Sequence, residues 1–227
     1  HNRVRRQRQM CIRDRMKYCY AFRRFSDYPY LGNAFDMDPE RITSKFLGRV
    51  KDMGFDGIEL GIECLEKING GEKGIKEFAK KLEDHGTPLL ALRSGGLMID
   101  PKYGEDNYKR IISSFKFAEF FNTKLINGAI SIPEKSPYLD TGTELISSEW
   151  VAHAGLPFSQ NSSRETTLPE YELLAKKYSE VCDLAKEFDI SISCEVHQNS
   201  PVDNSWSAKL IHKLVNKDNF GINPDLG

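Results

Sequence analysis

From Met16 onward the chain alternates between two hydrophobic rhythms. Short β-branched and aromatic runs are separated by longer stretches in which apolar residues recur every three or four positions. The first pattern is that of a buried strand, the second that of a helix with one apolar face. Tyr18–Phe25 is the first predicted strand. Asp38-Pro39-Glu40 opens a helix, with an acid at the N-cap and proline at the first helical position. Ile42, Phe46, Leu47, Val50 and Met53 carry its apolar face until Gly54 stops it. Phe55–Gly61 is then a strand, Lys73–His85 a helix closed by Gly86, and Pro88–Leu92 a strand leading into Arg93-Ser94-Gly95-Gly96. Asp106–Phe121 is a third helix and Thr123–Ile130 a fourth strand. Helix Leu168–Phe188, strand Ile190–Val196, a helix over Ser205–Asn216 and strand Phe220–Asn223 complete the series.

Strands separated by helices, with no hairpin signal between them, predict a parallel α/β sheet. Two architectures fit: an open doubly wound sheet and an incomplete eight-fold (β/α) barrel of the TIM type. The first βα turn lacks GxGxxG and no GxxxxGK[ST] occurs, so nucleotide-binding open sheets lose support. One interval breaks the rhythm. Residues 131–167 are rich in Ser, Thr, Pro and Gly and too long for an ordinary connection. They follow the C-terminal end of a strand, where barrel active sites lie. The segment reads as a lid able to bring Trp150, His153 and Phe158 over a substrate.

At 227 residues and 39% hydrophobic, the chain can bury one sizeable core, and one domain is expected. A net charge of −1 conceals an asymmetry: residues 1–15 hold six arginines against Asp14 alone, and the remainder is acid-rich. This arm resembles translated sequencing-adaptor sequence more than a nucleic-acid tether. It is read as a non-native or disordered extension, with the barrel domain spanning 16–227. No apolar run reaches the roughly 18–20 residues that span a bilayer, and the N-terminus lacks a signal peptide's apolar region. The cytoplasm is the expected address. Cys11, Cys19, Cys64, Cys182 and Cys194 form no CxxC pair, which fits free thiols in a reducing compartment.

The candidate chemistry sits at strand ends. Ile190–His197 finishes on a carboxylate and an imidazole, and strand alternation puts Glu195 on one face with Ser193 and His197. A carboxylate at the rim of a central parallel strand is poorly solvated and needs a cationic partner, either a metal ion or a neighbouring Lys or Arg. Asp225 ends the next strand after Pro224, as a ligand or as part of an ordinary turn. His197 reads as a supporting donor, a substrate contact or a structural residue. Glu59 points into the barrel mouth or makes a salt bridge to a neighbouring strand. Arg93 and Asn127 end the third and fourth strands, where hydroxyl- or phosphate-binding groups would stand. His85 and His212 fall on helices and read as surface residues.

Phe55–Gly61, Glu195-Val196-His197 and Phe220–Gly227, in this order and separation, resemble the xylose isomerase-like TIM-barrel superfamily, the sugar phosphate isomerase/epimerase group. The resemblance covers Met16 to Gly227, about six of eight βα units. It implies a metal-dependent sugar or polyol (or sugar phosphate) isomerase, epimerase or dehydratase, acting by proton abstraction next to a carbonyl. In that family Glu, Asp, His and Glu at the ends of strands five to eight hold a divalent metal, here Mn, Mg, Co or Zn. Glu195 takes the first role and Asp225 the second, and Glu195 is also one of the two acid/base glutamates. The remaining ligands would lie beyond residue 227, so these residues are expected to be an inactive N-terminal fragment with unpaired edge strands. His197, Glu59, Arg93, Asn127, His153 and Trp150 are the candidate substrate contacts.

The expected partner is a small sugar or polyol, with no nucleic acid and no membrane, and a homo-oligomer stays open. A non-catalytic or degenerate barrel that binds a sugar-like ligand is the alternative. Endonuclease-IV-type DNA repair is weaker, because it uses several zinc ions, many histidines and a basic surface.

Overall fold

The computed structural model of the protein describes residues 16–22, 38–128, 162–197 and 200–225. In chain order these form β1 (Cys19–Ala21), a 3-10 turn (Pro39–Arg41), α1 (Ser44–Asp52), β2 (Gly57–Gly61), α2 (Ile62–Leu65) and α3 (Gly71–Asp84). There follow β3 (Leu89–Arg93), α4 (Gly104–Phe120), β4 (Leu125–Asn127), α5 (Leu168–Lys186), β5 (Ser191–Glu195), α6 (Ser205–Val215) and β6 (Phe220–Asn223). The basic residues 1–15 and the 131–161 part of the expected lid lie outside the described residues.

Most elements fall where the periodicity puts them, with two departures. The helix expected to open at Asp38 is divided. Asp38 accepts from the Glu40 amide at 2.8 Å and caps a single 3-10 turn, which ends where Ile42 leaves helical geometry at ψ 66°. Thr43 then starts α1 afresh, its hydroxyl oxygen accepting from the Phe46 amide at 3.2 Å. The second departure is α2, a four-residue helix that follows β2 directly and was not anticipated. Three helices are each closed by a polar residue in the left-handed region, Asn122 after α4, Asp189 after α5 and Asn216 at the end of α6, with φ of 50°, 55° and 48°. Short polar side chains tolerate that conformation, which turns the chain sharply from helix toward the following strand.

All pairings are parallel and the strands lie in the order β1-β2-β3-β4-β5-β6. Sequential order is the winding of a barrel; a doubly wound sheet reverses direction at a switch point. Successive helices pack on one another, α3 on α4, α4 on α5 and α5 on α6. The two sheet faces differ in chemistry. Ile58, Leu60, Leu92, Ile126, Ile192 and Cys194 are fully buried in the hydrophobic core that the helices share. Each buried Leu or Ile contributes on the order of 1.5–3 kcal/mol through removal from water. Aromatic edges tie the layers: Phe46 of α1 meets Tyr20 at 5.6 Å and Phe22 at 5.2 Å, and Tyr178 of α5 meets Phe220 of β6 at 5.0 Å. The alternate positions, Glu59, Arg93, Asn127, Ser193 and Glu195, are buried and polar. A parallel strand buried on both faces normally reads as a continuous apolar run. Here one buried face carries charge and hydrogen-bonding groups instead.

Candidate active site

The polar face gathers side chains from consecutive strand ends. Asn127, the last residue of β4, donates through Nδ2 to Glu59 Oε2 on β2 at 2.9 Å. Ser193 of β5 donates through Oγ to Asn127 Oδ1 at 2.8 Å. This chain of bonds runs from β5 through β4 to β2 and passes over β3. The residue of β3 paired with Glu59 is Ala91, and its single methyl leaves the crossing clear. Asn127 therefore has both ends of its amide engaged, and its orientation is set. The buried Glu59 carboxylate gains a donor that lowers the cost of burial. Burial first, and then this carboxylate, push the thiol of nearby Cys19 up to about 12. Burial likewise raises Cys64 and Cys182 to about 12, so these thiols stay protonated and are poor nucleophiles at neutral pH.

Glu195 closes β5 with 2% of its surface exposed and stands opposite Asn223 in the parallel register with β6. The Val196 amide donates to Asn223 O at 2.9 Å, continuing the ladder one step beyond the strand. Both strands then leave the ladder: the Asp225 amide turns back to Asn223 O at 3.1 Å. His197 is half-buried and held by its backbone. Its amide donates to Val202 O at 2.9 Å, and Ser200 Oγ donates to its carbonyl at 2.7 Å. Tyr171 of α5 secures the same turn by donating to Pro201 O at 2.7 Å. Asp225 is exposed.

Arg93 closes β3 and is 8% exposed. It faces Glu63 of α2, with Nη2 3.9 Å from Oε2, while Arg110 of α4 holds the other oxygen of Glu63 at 3.0 Å. Three of these participants, Glu63, Arg110 and Ser193, were missed as site residues. Ser193 had a signal, since it shares a strand face with Glu195. Glu63 had none, because α2 was not anticipated. Trp150 and His153 lie outside the described residues. His85 and His212 take no part in the site: His85 Nδ1 lies 2.8 Å from Lys81 O at the end of α3, and His212 is an exposed residue of α6.

The described carboxylates fit a hard divalent cation in chemistry but not in number. Glu195 at the end of β5 and Asp225 two residues past β6 offer oxygen donors, and such an ion takes more donors than two. Among the described residues no group of three or more His, Cys, Asp or Glu side chains forms a metal cluster. Among them too, no helix is long and apolar enough to cross a membrane.

A family model described as xylose isomerase-like TIM barrel matches residues 47–227. The chain belongs to this family. Solved structures of the same fold include a probable 3-DHS dehydratase from Bacillus anthracis, with a TM-score of 0.63 and 16% identity over 92% of this chain and 63% of that one. A xylose isomerase-like TIM barrel protein from Mycobacterium smegmatis in complex with magnesium has a TM-score of 0.65 and 19% identity, over 93% and 65% of the two chains. A D-psicose 3-epimerase has a TM-score of 0.64 and 15% identity, over 92% and 63%. At these identities the likeness establishes the fold, an α/β barrel of which the described residues form six parallel strands in one open sheet. The chain spans less than two thirds of the length of these three proteins. No curated protein matches it.

Proposed function

We propose that the chain supplies the strand-five and strand-six side of a metal-dependent active site that isomerises, epimerises or dehydrates a sugar or polyol. The observation that carries this reading is Glu195, a carboxylate 2% exposed at the C-terminal end of a central strand, beside the strand that bears Asp225. Neighbours of the same fold that include a probable dehydratase and an epimerase support the general class, and a magnesium-bound neighbour supports a divalent cation. Glu195 and Asp225 would hold that cation. When bound, it supplies Lewis-acid polarisation of a carbonyl oxygen.

The remaining chemistry belongs to the chain. Glu195 takes the proton from the carbon next to the carbonyl and holds it on a carboxylate oxygen. Asn127 and Ser193, fixed by their bonds to Glu59 and to each other, present oriented polar groups to substrate hydroxyls. His197, clamped by its turn, stands where a substrate or the cation's outer contacts would lie.

The test is Mn²⁺ titration of the 227-residue chain, followed by paramagnetic broadening of backbone amide signals, which detects weak binding. Wild-type signals at the ends of β5 and β6 are expected to broaden, and Glu195→Gln or Asp225→Asn to abolish the effect. If broadening there is absent in the wild type, or survives both substitutions, the metal-site reading fails and a non-catalytic sugar-binding barrel replaces it.

A further inference from the structure

We infer that the outer side of α5 is a self-association surface, on which a second copy of this chain packs with its own α5 antiparallel. This goes beyond the proposed function and does not depend on it. The inner side of α5 is marked by its buried residues, from Tyr171 to Ala185. The opposite side of such a helix is ordinarily polar, yet Leu173 and Leu184 there are 48% and 39% exposed. A single exposed leucine carries no information. These two do, because of their spacing. They stand about three helical turns apart and so share one side of the helix. Lys177 and Glu180 lie between them on that same side.

The order along this side is Leu, Lys, Glu, Leu, at intervals of four, three and four residues. The intervals read the same in both directions, and reversal exchanges the two charges. Consider a second α5 related by a twofold axis that crosses the helix between Lys177 and Glu180. Leu173 of one copy then meets Leu184 of the other, and Lys177 of one meets Glu180 of the other. A twofold interface requires a patch that complements itself in this way, whereas a different partner would require no such symmetry. A parallel arrangement would instead set lysine against lysine and glutamate against glutamate. The charges are also held ready. Lys177 Nζ lies 4.6 Å from the ring centre of Tyr108 on α4 and 3.8 Å from Glu180 Oε2 of its own helix. A side chain already restrained loses less freedom when the second carboxylate arrives. Two leucines and two charges from each copy make a small interface, so the association belongs to the weak class.

Sedimentation velocity of the 227-residue chain, at concentrations up to the order of 200 μM, tests the inference. The wild type is expected to show a monomer–dimer equilibrium. Lys177→Glu and Glu180→Lys should each lower the association constant about tenfold or more, because like charges then face each other. The equimolar mixture of these two variants is the deciding sample. In a dimer of one with the other, every facing pair is again opposite in sign, and association should return to the wild-type level. Reversing an exposed pair elsewhere, Glu72→Lys with Lys76→Glu on α3, should leave the equilibrium unchanged. If either charge variant fails to fold by circular dichroism, Leu173→Ala and Leu184→Ala replace it, each expected to weaken association about tenfold. A wild type that stays monomeric overturns the surface. So does a dimer indifferent to the α5 substitutions, which would place the contact elsewhere, or a mixture in which association does not recover.

Discussion

Asn127 shows how one side chain can organise a site. Its amide uses the carbonyl for Ser193 and the NH₂ for Glu59, two residues that are not neighbours in sequence and lie on strands to either side of it in the sheet order. The asymmetry of the amide matters here, because Glu59 is an acceptor and the Ser193 hydroxyl acts as a donor. Asn127→Asp would keep the shape and place a second carboxylate 2.9 Å from the first. We expect a loss of about 2–3 kcal/mol of stability at pH 7, from an unsatisfied acceptor and like-charge repulsion. Protonating one of the two carboxyls restores a donor, so the deficit should shrink as pH falls toward 5. Urea unfolding of both proteins across that pH range measures the change. A constant deficit would mean that Glu59 is not the partner that matters. Glu63 shows the same logic in reverse, one oxygen held by Arg110 and the other without a hydrogen bond among the described residues.

At the scale of elements, the local signals that start and stop helices also position the loops above the sheet. Asn204 caps α6 by accepting from the Trp206 and Ser207 amides at 2.9 and 3.0 Å. The same side chain donates to Ser163 Oγ at 2.7 Å, and the Ser163 amide donates to Asp203 Oδ2 at 3.2 Å. A helix cap thus also fastens the segment that precedes α5 to the loop that follows β5, which carries His197. Asn204→Ala removes both functions and is expected to cost about 1–2 kcal/mol. Asn204→Ser keeps a capping oxygen and should recover most of that loss. Denaturant midpoints for the three proteins decide the point. Equal losses for Ala and Ser would locate the stabilisation in the Ser163 contact rather than in the cap.

For the whole molecule, the consequence of six sequential strands in an open sheet is an inequality between edges and centre. Among the described residues, strands β2 to β5 have partners on both sides, while β1 and β6 are bonded on one. Amide hydrogen exchange should therefore be slowest in β2–β5 and fastest in β1 and β6, because an edge needs only local fraying to open. Protection in β6 equal to that in β5 would show that another surface covers it. Much of this architecture is local information. The alternation of strand and helix, the parallel sheet and the placing of Arg93, Asn127 and Glu195 at strand ends follow from periodicity and end signals, since these report which side of an element is buried. Glu59, expected at a strand end, lies in the middle of β2. The same periodicity cannot separate a barrel from a doubly wound sheet, which contain the same elements in the same chain order. That choice lay in the spatial order of the strands. Nor could it show that Glu59 bonds to Asn127, 68 residues away, or that Glu63 faces Arg93. Those contacts exist only because the sheet curls and brings side chains from separate strands to one face, and no spacing along a single chain encodes the distance across it.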